Sequence, residues 1–121
     1  MIIVSDTSPI SNLAKVGQLD LMQQIYKTVV IPKAVYEELL DERAGEAVIT
    51  AVKSAFWLQI QVVQNQELVN ELRNQINVGE AEAIALAVAV KADQLLIDVR
   101  LGRAAQTRRA KVTRFHTRQK A

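Results

Sequence analysis

Apolar positions fall in short bursts separated by stretches of helical period. Ile2-Ile3-Val4, Val29-Val30-Ile31 and Leu95-Leu96-Ile97 are consecutive apolar runs, the pattern of short strands buried on both faces. Leu58–Val63 alternates apolar with polar, as a half-buried edge strand does. The intervening segments predict helices. Ser8–Val16 turns Ile10, Leu13, Ala14 and Val16 inward and stops at Gly17, with Ser8 as N-cap and Pro9 at the first helical position. Leu19–Ile25 follows through Leu19, Leu21, Met22 and Ile25. Pro32 opens a helix to about Glu42 through Val35, Leu39 and Leu40. Gly45 breaks the pattern before Glu46–Ala55, where Ala47, Val48, Ala51 and Val52 face inward. Gln66–Asn74 is helical through Leu68, Val69 and Leu72, and Asn77-Val78-Gly79 reads as a loop. Glu80–Lys91 is alanine-rich and apolar on most sides, so it should lie deep. Leu101–Arg109 is spaced as a helix, and Lys111-Val112-Thr113 could start one more strand. Short apolar strands alternating with helices predict an α/β fold around a mostly parallel sheet, with the strand ends gathered on one edge.

Composition narrows this picture. A chain of 121 residues, half apolar and 23% charged, suits one globular domain with a real core. No repeat, linker or second-domain boundary interrupts it. There is no cysteine, which excludes disulfides and thiolate metal sites and fits a reducing cytoplasm. No leader pattern opens the chain, and the longest apolar run, Ala83–Val90, is far too short to span a bilayer. Trp57 reads as core or strand-end packing, and His116 is given no role.

Charge is unevenly spread. All thirteen acidic residues lie within residues 1–98, while eight of the fifteen basic ones follow: Arg100, Arg103, Arg108, Arg109, Lys111, Arg114, Arg118 and Lys120. Such asymmetry marks a polyanion partner or a solvated basic tail.

Four acidic residues share an address. Asp6 follows the first strand, Glu38 lies in the helix after the second, Glu80 begins the alanine-rich helix, and Asp98 follows Ile97. In a parallel sheet these positions could converge at the carboxyl edge, where ligands bind in open α/β folds. Clustered carboxylates repel unless a cation sits among them. Oxygen donors without cysteine suit Mg²⁺ or Mn²⁺, which can activate water and stabilise charge on a phosphoryl group. Each residue also has a plainer reading. Asp6 and Asp98 could cap helices, Glu38 could be solvated, and Glu80 could complement a helix dipole. Glu82 competes with Glu80 from a different face of the same helix. The absence of a Gly-rich phosphate loop weighs against a nucleoside triphosphatase or a dinucleotide-binding domain.

Four motifs together resemble the PIN-domain family, and among its members the VapC-like toxins of toxin–antitoxin pairs. They are Ile3-Val4-Ser5-Asp6-Thr7-Ser8, the stretch from Val30 to Leu39, Gly79-Glu80-Ala81-Glu82-Ala83-Ile84-Ala85-Leu86-Ala87, and Leu95-Leu96-Ile97-Asp98. The resemblance covers about residues 1–113. It implies a three-layer sandwich with helices on both faces of the sheet. It also implies a Mg²⁺- or Mn²⁺-dependent endoribonuclease, frequent homodimers, and inhibition by a small antitoxin protein. By position Asp6, Glu38 and Glu80 match acidic site residues. The fourth match is Asp98 or its neighbour: the branch this chain most resembles has two adjacent acids there, and here the second is Val99. Adjacent strand residues point to opposite faces, so a site-facing position 99 would mean a lost ligand. After Val112-Thr113 the family continues with glycine and an apolar helix, whereas residues 114–121 are basic and lack an apolar pattern. That departure looks like a truncation or a reading-frame change, and a poorly ordered tail is expected there.

Two functions follow. In the first, a cytoplasmic endoribonuclease cuts RNA by water attack on a phosphodiester. Asp6, Glu80 and Asp98 hold the metal, Glu38 binds it or orients the water, and Arg100 and Arg103 hold phosphate. In the second, a degenerate PIN-like module, inactive through Val99 and the altered tail, pairs with itself or an antitoxin.

Overall fold

The computed structural model describes residues 1–97. Four parallel strands form one sheet: β1 (Ile3–Ser5), β2 (Val29–Pro32), β3 (Leu58–Gln61) and β4 (Gln94–Leu96). Their order is β3-β2-β1-β4. Parallel neighbours cannot be joined by a hairpin, and helices fill each connection. The first holds α1 (Thr7–Lys15) and α2 (Asp20–Tyr26). The second holds α3 (Lys33–Leu40), a 3₁₀ turn (Glu42–Ala44) and α4 (Glu46–Ser54). The third holds α5 (Gln66–Leu72) and α6 (Val78–Ala89).

Strand alternation divides the core into two layers. Ile3, Val29 and Ile31 pack with Ile10, Met22, Val35, Leu39, Val48, Val52 and Trp57 on one face. Val4 and Leu95 pack with Val63, Val69 and the buried side of α6 on the other. This is the sandwich with helices on both faces, and the sheet is wholly parallel. The first two connections move outward from β1 in one direction, and the third returns past β1 to its other side. The order therefore reverses between β1 and β4. At such a switch point the loops diverge and leave a crevice at the carboxyl edge.

Several details depart from the sequence reading. Helix α1 begins at Thr7, with Asp6 as an extended N-cap residue (φ −80°, ψ 178°), so Ser8 is not the cap. Pro9 sits at the third helical position, which it tolerates because first-turn N–H groups have no partner within the helix. Val16 and Ile25 are each 68% exposed, and Leu21 is 42% exposed. The buried set is instead Ile10 and Ala14, then Leu19 and Met22. Leu21 and Ile25 line an apolar groove of about 420 Å³ beside Leu95, Leu96 and Ile97. Ala47 is also exposed. Helix α3 stops at Leu40, because Asp41 takes an extended conformation and its carboxylate accepts the Arg43 N–H to start the 3₁₀ turn. Gly45 has φ +96°, a value L side chains rarely adopt.

The alanine-rich helix lies deep as expected, with Ala81, Ala83, Ala85, Leu86 and Ala87 all buried. Its start is earlier than the pattern indicates. Asn77 caps it by accepting the Glu80 N–H at 2.8 Å, so Val78 and Gly79 are helical and not loop. Small side chains let this helix lie close on the sheet, where it contacts β1, β2 and β4. Asp98, Val99, Arg100 and Arg103, the expected helix 101–109 and strand 111–113, and the basic tail all lie outside the described residues.

Candidate functional site

Strand β1 ends at Ser5, and the chain turns directly into α1. That places Asp6 at the carboxyl edge, 5% exposed. Its backbone N–H donates to Leu96 C=O at 2.9 Å, tying the end of β1 to the end of β4 across the switch point. Its side chain makes no capping bond to α1, so the plain reading of Asp6 as a helix cap does not account for its burial. A carboxylate kept largely from water needs specific partners.

Helix α6 precedes a strand parallel to β1, so its N-terminus lies at the same edge. The Asn77 cap fixes the first turn there and carries Glu80, 3% exposed. Such a cap contributes about 1 kcal/mol. The chain spacing Asn77-x-x-Glu80 is a helix-start signal that the loop reading passed over.

Glu38 joins these two helix starts. It stands in the second turn of α3, half-buried, and its Oε2 accepts the Thr7 hydroxyl at 3.0 Å. Its Oε1 lies against Gly79, where a Cβ built on that glycine would collide with it. Thr7 follows Asp6 and Gly79 precedes Glu80, so one side chain touches the neighbours of both buried acids. Glycine at 79 is thus a matter of space and not of backbone angle. Thr7 and Gly79 were not singled out from sequence. Their only signal was adjacency to the two acids.

Glu82 has a different task. Its Oε1 accepts the Ala34 N–H at 3.2 Å, and Ala34 lies in the first turn of α3, where N–H groups lack partners. Glu82 therefore caps α3 from across the helix interface, while Glu80 is the buried acid at the edge.

A cleft of about 280 Å³ adjoins Glu38, lined by Thr7, Ser11, Lys15, Asp41 and Arg43. Arg43 grips Asp41 through Nε at 2.9 Å and Nη2 at 3.1 Å. These hydrogen bonds hold the Asp41 carboxyl down at about 2 and push the Arg43 guanidinium upward.

The donor chemistry of Asp6, Glu38 and Glu80 is oxygen only, which suits a hard divalent cation. Among the described residues, no three acids or histidines form a group that could hold a metal ion. Glu38 turns toward Thr7 and Gly79, and the fourth acid, Asp98, lies beyond residue 97. No helix among the described residues is long and apolar enough to cross a membrane.

The family model DUF3368, described as a PIN domain, matches residues 2–114. No curated protein and no solved structure gives a significant match.

Proposed function

The chain belongs to the PIN-domain family, and from that premise we propose that it is a metal-dependent endoribonuclease of the VapC-like toxin kind. The observation that carries this reading is the position of Glu38 between Thr7 and Gly79. That bond and that contact link the turn after β1, which bears Asp6, to the start of α6, which bears Glu80.

Asp6, Glu80 and Asp98 are the residues that would hold Mg²⁺ or Mn²⁺. When bound, the cation supplies Lewis-acid activation of water and charge stabilisation at phosphorus. Glu38, fixed by the Thr7 hydroxyl, accepts a hydrogen bond from the attacking water and aims it at the phosphodiester. Arg100 and Arg103 follow Asp98 closely in the chain and hold the flanking phosphate. The water gives up a proton as its oxygen bonds to phosphorus, the bond to the leaving ribose oxygen breaks, and that oxygen takes up a proton from solvent. A small antitoxin protein is the partner this reading implies, and the working form is a homodimer in the cytoplasm.

Asp6→Asn tests the proposal. Asparagine preserves size and hydrogen-bonding groups while removing the charge a cation needs. The variant is expected to melt like the wild type, lose calorimetric Mn²⁺ binding and lose RNA cleavage. Equal cleavage by both proteins in Mg²⁺ or Mn²⁺ rejects the assignment.

Val99 favours a second reading, a degenerate module that binds an antitoxin without cutting RNA. On that reading the wild type itself binds no Mn²⁺.

A further inference from the structure

Thr7, Ser11 and Lys15 follow one another at four-residue steps along α1, so they share one face of the helix. All three line the cleft beside Glu38, which changes character along its length. At the Thr7 end the Glu38 carboxylate accepts the Thr7 hydroxyl. Lys15 is rooted about 12 Å further along the helix, at 1.5 Å per residue. It is exposed and has no ion-pair partner among the described residues. Between them, Ser11 Oγ donates to Ser8 C=O at 3.4 Å. Its hydrogen is thereby engaged within the helix, and its lone pairs are left for an outside donor.

The other wall, from the end of α3 and the 3₁₀ turn, carries Arg43. Asp41 accepts its Nε–H at 2.9 Å, its Nη2–H at 3.1 Å and its backbone N–H at 2.9 Å. With Arg43 88% and Asp41 38% exposed, such a pair contributes little to stability. What it does is fix the plane of a long side chain. Asp41 takes two of the five guanidinium donors, one on Nε and one on Nη2, and the other three are left on the Nη atoms. The pair also balances the Asp41 charge, so Lys15 is the uncompensated charge at this end of the cleft.

We propose that this cleft holds one further nucleotide of the RNA strand beside the acidic edge, its phosphate between Lys15 and Arg43 and its ribose 2′-OH donating to Ser11 Oγ. The identity of the ligand rests on the nuclease reading. An ammonium and a fixed guanidinium with free donors match phosphate oxygens, and contacts of this kind set the position of a strand without reading its sequence. The Ser11 oxygen adds a choice of sugar: it needs a donor, which ribose has at the 2′ position and deoxyribose lacks. A volume of about 280 Å³ lies below the range of drug-sized ligands and suits a single sugar-phosphate unit. Asp41 is then a positioning residue, acting through Arg43.

The test reads binding without cleavage: fluorescence anisotropy of the full chain in EDTA with a labelled single-stranded RNA of mixed sequence, against DNA of the same sequence. The wild type should prefer RNA. Lys15→Ala and Arg43→Ala should each weaken RNA binding about tenfold and lower the slope of log K against log salt by about 0.7, the value of one phosphate on a single strand. Ser11→Ala, which suits a helix, should weaken RNA roughly fivefold and leave DNA unchanged. Arg73→Ala removes the same charge at the end of α5, on the opposite face of the sheet, and should change neither. A wild type that binds no RNA or binds RNA and DNA alike, Lys15 and Arg43 variants that bind as the wild type does, a Ser11 variant that loses both nucleic acids equally, or an equal loss in Arg73→Ala would each overturn the proposal. Unchanged binding in variants of a protein that cuts RNA overturns the cleft alone. The expected losses in a protein that cuts no RNA overturn the nuclease reading alone.

Discussion

Glu38 fills the space that a side chain on residue 79 would need, and its other oxygen holds Thr7. Gly79→Ala is therefore expected to displace Glu38 and break that hydrogen bond. The lost bond costs about 1 kcal/mol, and alanine in place of helical glycine returns up to about 1 kcal/mol. The melt should barely move, while RNA cleavage should fall about tenfold to a hundredfold, as for other groups that support a metal site. A large melting loss with full cleavage would show that Glu38 at this position serves the fold alone.

Glu80 and Glu82 should separate cleanly. Glu82→Ala removes the acceptor for the Ala34 N–H and should cost about 1 kcal/mol, the usual value of a helix cap. In a domain of this size that lowers Tm by about 4 °C, with Mn²⁺ affinity little changed. Glu80→Gln should do the reverse, losing Mn²⁺ in a calorimetric titration while keeping the melt.

The Asp41 carboxyl, held at about 2 by Arg43, predicts a specific acid response. Its folded pKa lies below the ordinary value, so its contribution is complete above about pH 4 and is lost as pH falls through about 2. The pair is exposed, so added salt should weaken it. A carboxyl-detected NMR titration should show Asp41 as a low outlier that returns toward 3.8 in Arg43→Ala. An unchanged Asp41 in that variant would remove Arg43 as the cause.

Position 99 distinguishes the two functional readings. If Val99 stands where a ligand belongs, Val99→Asp should tighten Mn²⁺ and raise cleavage, and Val99→Asn should do less. If Asp98 is the ligand and Val99 packs inward, the same aspartate becomes a buried unpaired charge. That should lower stability by several kcal/mol. Calorimetry and a thermal melt on one sample tell these apart by sign.

The sheet was legible because its signal is local. Ile3-Val4 and Val29-Val30-Ile31 have no polar break and can only be buried on both faces. Helix faces were less legible where tertiary packing decides. Leu21 and Ile25 fit a helical stripe as well as Met22 does, but α2 begins at Asp20 and rotates them toward the groove beside β4. At the site, Asp6 and Glu80 could be read from their places after a strand and at a helix start. Thr7 and Gly79 could not, because their roles exist only through Glu38, which is distant in sequence from both. The competition between Glu80 and Glu82 likewise turned on Ala34, a residue with no side-chain chemistry of its own.

The pairing of β1 with β4 joins residues far apart in sequence: Ile3 is matched with Gln94, and the Ile2 N–H donates to Asp93 Oδ2 at 2.6 Å. During synthesis, residues 1–61 can supply three neighbouring strands and most of one core layer before β4 exists. Asp6 waits at the end of a strand whose second flank is still missing, and contacts of such sequence separation form late because they close the largest loop. On a ribosome making this chain at about 5–20 residues per second, the β1–β4 side of the carboxyl edge is assembled only after the first three strands have been made. An incomplete product would carry Asp6 without the other half of its crevice.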